Sequence, residues 1–291
     1  MKPPPFSYAA PRSVGEALAL LQEYGPEAKV LAGGQSLVPL LNMRLARPEV
    51  LVDINRIGAL AYIRRRGDRL RVGALTRQRA VEASAGVRRR VPLLWEAIRF
   101  VGHPQIRNRG TVGGSLAHAD PAAELPAVVA ALEADLVVAG PGGERVLSPE
   151  EFFTGYLTTA LQPADLLVEV RFPLQDGDTG SAFVEVARRH GDFALVGVAA
   201  VLRRQDDTVG QARLAFTGVG PGPVRAREAE RLLQGEPATP RLFAEAAREA
   251  AARLDPPGDI HATAQYRRDL AAVLARQALE VAWQRSGGRR R

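Results

Sequence analysis

Two glycine-rich stretches decide how this chain is interpreted: LAGGQSLVPLL at residues 31–41 and RNRGTVGGSLAHADPAAELP at residues 107–126. Each joins a strand-like run to a helix-like run, so each can present backbone N–H groups and a helix N-terminus to a phosphate. One such turn is weak evidence, but two in one chain indicate a pyrophosphate held between two loops. Since no G-x-G-x-x-G occurs, the pattern predicts a dinucleotide cofactor bound without a Rossmann fingerprint.

Both stretches also have a purely structural interpretation. Gly33 and Gly34 suit a tight turn, and Ser36 either caps the next helix or donates its hydroxyl to a phosphate oxygen. Asp120 followed by Pro121 is typical of a helix N-cap with proline at the first helical position. We therefore predict a helix that begins at Pro121, with its positive end directed at the second glycine stretch.

Asp53 offers a competing interpretation of the first stretch. It ends a strand-like run at the distance from Gly33 where a Rossmann fold carries its ribose-binding acid. The glycine spacing does not fit that fold, so we interpret Asp53 as structural.

Composition limits the possible functions. The chain has 291 residues, 46% of them hydrophobic, which is enough for two or three modest cores. No apolar run approaches 18 residues and the N-terminal MKPPPFSYAAP has no leader pattern, so we expect a cytoplasmic protein without a membrane span. The absence of cysteine excludes disulfides, thiolate zinc sites and cysteine-ligated iron–sulfur clusters within this chain.

The charge of +7 invites a nucleic-acid interpretation. The arginines are scattered along the chain, however, and we expect most of them to lie on solvated faces or in ion pairs. The four histidines lack metal-ligand spacing, and no G-x-S-x-G is present. We therefore predict no metal site, no catalytic side chain and no nucleic-acid partner.

Hydrophobic periodicity divides the chain into three units and a tail. A βαβ-like lobe at residues 1–57 contains a helix capped by Ser13 and two buried strands. A second lobe at residues 58–175 contains a hairpin with a turn at Gly67 and Asp68. Strands precede helices in residues 176–285, which predicts an α+β domain, and residues 286–291 form a basic tail.

Three stretches of the sequence carry a resemblance to a known family: AGGQSLVPLLNMR, IRNRGTVGGSLAHADPAAELP and, at residues 188–200, RRHGDFALVGVAA. They resemble the FAD-binding (medium) subunit of molybdenum hydroxylases, the carbon monoxide dehydrogenase and xanthine dehydrogenase family. The resemblance covers nearly the whole chain. It implies an α+β fold: a two-lobed FAD-binding unit of the vanillyl-alcohol-oxidase (PCMH) type, followed by a C-terminal α+β domain.

The resemblance also implies the site. The residues it assigns to FAD form three groups. They are Ala32, Gly33, Gly34, Gln35, Ser36 and Leu37 on one side of the pyrophosphate; Thr111, Val112, Gly113, Gly114 and Ser115 on the other, with Asp120 toward the ribityl chain; and Asp192 and Phe193 near the isoalloxazine. Phe193 stands where some relatives have tyrosine, and Glu185 where some have lysine.

The implied function is electron relay. A small subunit with [2Fe–2S] clusters would deliver electrons from a large molybdopterin subunit, and FAD would pass them to an external acceptor, within a dimer of heterotrimers. Two alternatives stay open, namely a free-standing FAD-dependent oxidoreductase and a basic nucleic-acid-binding or scaffold protein.

Overall fold

A computed structural model describes residues 2–287. The basic tail predicted at residues 286–291 lies outside this range, except for Ser286, which is buried, and Gly287. Within residues 2–287 no helix is both long and apolar enough to cross a bilayer.

The N-terminal lobe is a small parallel sheet with its helices outside. As predicted, Ser13 accepts a hydrogen bond from the Glu16 N–H and caps the first helix, which ends at Gly25. The strand order is β1-β3-β2, and β1 is an addition to the predicted βαβ unit. The elements are β1 (Ser7–Ala9), α1 (Val14–Tyr24), β2 (Ala28–Leu31), α2 (Leu37–Asn42) and β3 (Val50–Asp53), with 3-10 turns at Gly25–Glu27, Ile54–Arg56 and Gly58–Leu60.

The middle lobe is built on an antiparallel sheet of order β4-β5-β10-β6-β7. The predicted hairpin around Gly67 and Asp68 joins its first two strands. The elements are β4 (Ile63–Arg66), β5 (Arg69–Gly73), α3 (Gln78–Ala83), α4 (Ala85–Arg90), α5 (Pro92–Ala97), α6 (Pro104–Arg109), α7 (Val112–His118), α8 (Glu124–Leu132), β6 (Asp135–Gly140), β7 (Gly143–Leu147), α9 (Pro149–Phe152), β8 (Phe153–Gly155), β9 (Thr158–Thr159) and β10 (Leu166–Pro173).

The C-terminal unit has its strands first and its helices after, as the sequence pattern indicates. An antiparallel sheet of order β11-β12-β13-β14 is covered by three helices. The elements are β11 (Thr179–Ala187), β12 (Ala194–Gln205), β13 (Thr208–Thr217), β14 (Val224–Arg225), α10 (Arg227–Leu233), α11 (Pro240–Ala252) and α12 (Ala264–Arg285).

The middle sheet has two buried faces. Because side chains alternate along a strand, Leu136 and Val138 of β6 enter the core of the middle lobe, whereas Val137 and Ala139 enter the core of the N-terminal lobe. One face of the sheet therefore completes the core of the N-terminal lobe, and the other face supports the helices of the middle lobe.

Helix α8 is buried on all sides, and every residue from Glu124 to Leu132 is buried. A helix that is apolar all round belongs in an interior, and α8 packs against both the middle sheet and strands β12 and β13 of the C-terminal sheet. The buried guanidinium of Arg225 donates to the Ala130 carbonyl at 2.8 Å, which fixes the C-terminal sheet to this helix.

The predicted start of this helix is wrong. Helix α8 begins at Glu124 rather than at Pro121, and its N-cap is Ala123. Asp120 instead accepts a hydrogen bond from the Ala122 N–H at 2.9 Å, so its carboxylate stabilises a turn. The Gly218 N–H donates to the Pro121 carbonyl, and this contact with the C-terminal sheet holds residues 120–123 out of the helix.

We expect Gly180→Ala to destabilise the protein by about 2 kcal/mol or more, the usual cost of overpacking an interior. A Cβ at Gly180 of β11 would lie 1.9 Å from the Ala282 carbonyl oxygen of α12. Urea denaturation followed by circular dichroism measures the change. Gly177→Ala is the matched control, since nothing lies within 4 Å of its Cβ position; equal stability of the two variants would contradict the packing described for α12.

Candidate functional site

The first glycine stretch forms an accessible turn between β2 and α2. Residues 32–37 are all partly exposed. Gly34 has φ of 73°, a left-handed conformation that favours glycine. Within the part of the chain that the structure describes, the backbone N–H groups of residues 33–36 have no acceptor, and the Ser36 side chain makes no capping hydrogen bond. This turn can therefore offer several N–H donors to an anion.

The two glycine stretches meet directly. A Cβ at Gly33 would lie 2.6 Å from the Arg109 carbonyl oxygen and 2.8 Å from the Gly110 Cα, and a Cβ at Gly114 would lie 3.8 Å from the Ala32 Cβ. The backbone of the first turn thus lies against the segment that leads into α7. Only a residue without a side chain at Gly33 permits this approach.

The second glycine stretch differs from our expectation, because the backbone N–H groups of residues 112–115 are already bonded. The Val112 and Gly113 N–H groups donate to the carbonyls of Thr76 and Ala74, and the Gly114 N–H donates to the Thr111 hydroxyl at 3.0 Å. The stretch is the start of α7 rather than an open turn. The expectation of free backbone donors is therefore correct for the first stretch and wrong for the second.

Burial separates the predicted residues of this second stretch into two sets. Thr111, Val112 and Gly113 are buried, which favours a supporting role beneath the site, whereas Gly114 and Ser115 are partly exposed. A ligand that lies on the first turn can reach the side of α7 through Gly114 and Ser115.

Two side chains that sequence reasoning missed join the stretches. The Asn55 amide donates to the Ala32 carbonyl at 2.8 Å and accepts from the Arg77 guanidinium at 2.6 Å. Arg77 also donates to the Arg109 carbonyl. This chain of hydrogen bonds runs from one glycine stretch to the other and places a positive charge beside both. Burial first, and then the charge of Arg109, lower the pKa of Arg77, yet guanidinium stays protonated in proteins.

Asp53 is structural, as we interpreted it. Its carboxylate accepts from the Tyr8 hydroxyl at 2.6 Å and from the Asn55 backbone N–H at 2.9 Å. Burial raises the pKa of Asp53, but these hydrogen bonds outweigh it and leave the pKa below its usual value. Asp53 therefore orients Asn55. The sequence signal that could have revealed Asn55 is its position shortly after Asp53, the last residue of β3.

Asp192 and Phe193 lie apart from the glycine stretches. They belong to the exposed loop between β11 and β12, whose Gly191 lies against the ring of His103 at the start of α6. Helix α6 ends beside Gly33 and spans roughly 9 Å, at 1.5 Å per residue. The structure thus places these predicted residues at one end of α6 and the glycine turn at the other.

Two carboxyls have raised pKa values, those of the buried Glu124 and the partly buried Glu185. Burial, followed by the charge of Asp120, raises the pKa of Glu124 to about 7. Burial, followed by the charge of Glu124, raises the pKa of Glu185 to about 9. Glu185 also lines a cavity of about 270 Å³ with Phe100 and His190.

Two family models match the chain. Residues 4–175 match the FAD binding domain in molybdopterin dehydrogenase, and residues 181–282 match the CO dehydrogenase flavoprotein C-terminal domain.

Similar proteins cover nearly the same length. The 6-hydroxypseudooxynicotine dehydrogenase complex subunit alpha of Paenarthrobacter nicotinovorans is 42% identical over 98% of this chain and 97% of that protein. The carbon monoxide dehydrogenase medium chain of Hydrogenophaga pseudoflava is 41% identical over 98% of this chain and 99% of that protein. A solved structure of carbon monoxide dehydrogenase from Hydrogenophaga pseudoflava, which lacks the Mo-pyranopterin moiety, superimposes with a TM-score of 0.96 at 42% identity, covering 98% of this chain and 99% of the other. The predicted fold and the predicted family are confirmed.

We expect Gly33→Ala to weaken FAD binding about tenfold or more, because a Cβ there would push the first turn away from Gly110, at a cost of about 1–3 kcal/mol. Isothermal titration calorimetry with FAD measures the affinity. Gly142→Ala is the matched control, since its Cβ position is open and exposed. An affinity of the folded Gly33→Ala variant equal to that of the control would show that the approach of the two stretches does not matter for FAD.

Proposed function

The chain belongs to the FAD-binding subunits of the molybdenum hydroxylases, with FAD as its cofactor, and on that basis we propose that it relays electrons from an iron–sulfur partner to an external acceptor. The observation that carries the proposal is the accessible turn at residues 33–36, whose N–H groups have no acceptor in the described part of the chain and which Arg77 flanks with a positive charge. This donor set suits a pyrophosphate. Because its relatives are dehydrogenase subunits, the chain is an oxidoreductase subunit.

We assign the cofactor contacts as follows. The first turn holds the pyrophosphate with the backbone of Ala32, Gly33, Gly34, Gln35, Ser36 and Leu37. Gly114 and Ser115 close the opposite side, Thr111, Val112 and Gly113 support them from below, Asp120 accepts from the ribityl chain, and Asp192 and Phe193 lie toward the isoalloxazine. The two carboxylates accept hydrogen bonds, and the exposed Phe193 ring provides stacking area that shields the cofactor from water.

Bound FAD supplies the ability to accept electrons singly and release them in pairs. The chain's own residues bind and orient it, and none of them is required as an acid or base for that step.

The partners follow from what the chain lacks. It contains no cysteine, so it cannot hold a cysteine-ligated iron–sulfur cluster. Relatives are named as a medium chain and as the subunit of a complex. We propose that a small [2Fe–2S] subunit delivers electrons from a large molybdopterin subunit, that the assembly is a dimer of heterotrimers, and that it works in the cytoplasm.

We expect the purified chain to keep a yellow flavin spectrum after incubation with FAD and gel filtration. The double variant Gly34→Asp and Gly114→Asp should emerge colourless, because two carboxylates would face a diphosphate and a Cβ at Gly114 would lie 2.6 Å from the Thr111 hydroxyl oxygen. Gly142→Asp is the control for added charge on an open glycine. A colourless, folded wild-type chain, also when co-expressed with partner subunits, would contradict the proposed cofactor site.

We expect electrons to reach this flavin only through a partner. Under anaerobic conditions, a reduced [2Fe–2S] partner subunit should bleach the flavin absorbance of the complex, and small organic donors should leave the isolated chain oxidised. Stopped-flow absorbance distinguishes the two cases. Rapid, repeated reduction of the isolated chain by a small donor would instead support a free-standing oxidoreductase and contradict the relay.

A further inference from the structure

Glu185 is a partly buried acid without an ion-pair partner among the described residues. It lies on β11 opposite Gly197 of β12, whose missing side chain leaves room for it. Its Oε2 atom is buried and has no hydrogen-bond partner among the described residues. Since a buried charge without a partner is costly, this carboxyl favours its neutral, protonated form.

A second buried acid lies within electrostatic reach. Glu124, the first residue of α8, is only 5% exposed, and its side chain makes no hydrogen bond or ion pair with another residue in the described range. Its charge is the second cause, after burial, of the raised pKa of Glu185. Two carboxyls that are removed from water and interact do not both ionise readily, which favours the protonated form of Glu185.

The nearby cations do not neutralise this pair. Arg107 is buried and lowers the pKa of Glu124 only as the last of four causes, because its guanidinium already bonds Glu82 at 3.0 Å and the carbonyls of Val101 and Gly102. Arg189 and His190 line the same cavity as Glu185, but neither forms an ion pair with it in the described structure. The charged group that acts on Glu185 is therefore Glu124 at the start of α8, and Arg189 and His190 of the loop after β11 line its cavity. Asp120 and Arg107 act on Glu124, and the His103 ring stacks on His190 with centroids 6.1 Å apart.

The cavity beside Glu185 has walls suited to a planar ring. Phe100 and His190 contribute aromatic faces, Val186 and Ala187 contribute apolar surface, and Gly191 leaves its backbone accessible. Glu185 is its acid. Apolar walls with a few placed polar groups, here Glu185, Arg189 and His190, are the usual pattern of a ligand pocket.

We propose that Glu185 is a positioning residue for the flavin: its protonated carboxyl donates a hydrogen bond to an acceptor atom on the edge of the isoalloxazine ring in this cavity. The inference rests on the proposed function. The isoalloxazine is a planar heteroaromatic ring with carbonyl and imine acceptors, which a neutral carboxyl can bond and a carboxylate cannot. Glu185 would thus fix the ring without placing a net charge beside it.

The test measures FAD affinity from about pH 6 to about pH 10, a range that brackets the raised pKa of Glu185. Glu185→Gln keeps the size and a hydrogen-bond donor but cannot ionise, Glu185→Leu removes the donor, and the exposed Glu144→Gln is the control for lost charge. We expect wild-type affinity to fall several-fold above about pH 9 and Glu185→Gln to bind like the wild type at lower pH without that fall. Glu185→Leu should bind about fivefold more weakly than the wild type below about pH 9, with an affinity that does not change over the range.

A second readout needs no FAD. The pKa of Glu185 is raised to about 9 by folding from 4.5, so its contribution to stability is present at low pH and is lost as pH rises toward 9. The melting temperature of the chain without FAD should therefore fall over that range in the wild type more than in Glu185→Gln.

The outcomes separate this inference from the proposed function. If the wild type binds FAD and Glu185→Leu binds it equally well with the same pH profile, the role of Glu185 is overturned while the cofactor site stands. If the wild type binds no FAD at any pH, both are overturned. A melting temperature with the same pH dependence in the wild type and in Glu185→Gln overturns the protonated state of Glu185.

Discussion

The complete burial of α8 is the constraint on which the rest of the structure depends. Its nine residues have no exposed face, so the middle sheet and the C-terminal sheet must both remain packed against it. Apolar burial supplies roughly 25 cal/mol per Å², and separating the sheets would return that area to water. Polar contacts add direction, since the buried Thr217 hydroxyl lies 2.7 Å from the carbonyls of both Pro121 and Ala123 and donates to one at a time. The turn at residues 120–123 and the buried Glu124 follow from this packing.

Local signals in the sequence predicted most of the elements correctly. Ser13 and Gly25 delimit α1 because capping depends on neighbouring residues alone. The hairpin at Gly67 and the strands-then-helices order of the C-terminal unit follow from short-range pattern in the same way. Asp120 is a misleading signal because a turn and an N-cap use the same side chain. A contact between residues far apart in the sequence, from the Gly218 N–H to the Pro121 carbonyl, decides between them.

The candidate site was predictable in part. Glycine spacing located both stretches, and at Gly33 the structure shows why a side chain is excluded. The sequence could not reveal that the N–H groups of Val112 and Gly113 donate to the carbonyls of Thr76 and Ala74, because these hydrogen bonds depend on the path of the chain after β5. Asn55 and Arg77 were missed because an asparagine and an arginine in ordinary polar surroundings carry no motif. Their role arises only when folding places them between Ala32 and Arg109.

The middle sheet, which is buried on both faces, also determines when the proposed cofactor site can form. The N-terminal lobe needs Val137, Leu166 and Val168 to close its core, yet these residues are synthesised long after the first glycine turn. At about 5–20 residues per second, the ribosome needs several seconds to add the roughly 100 residues between them. During that time the nascent lobe has no completed interior, and the partner stretch at α7 has no sheet to rest on. At the proposed site, FAD would join a chain whose middle sheet is already made, so cofactor loading would follow synthesis of this part rather than accompany it.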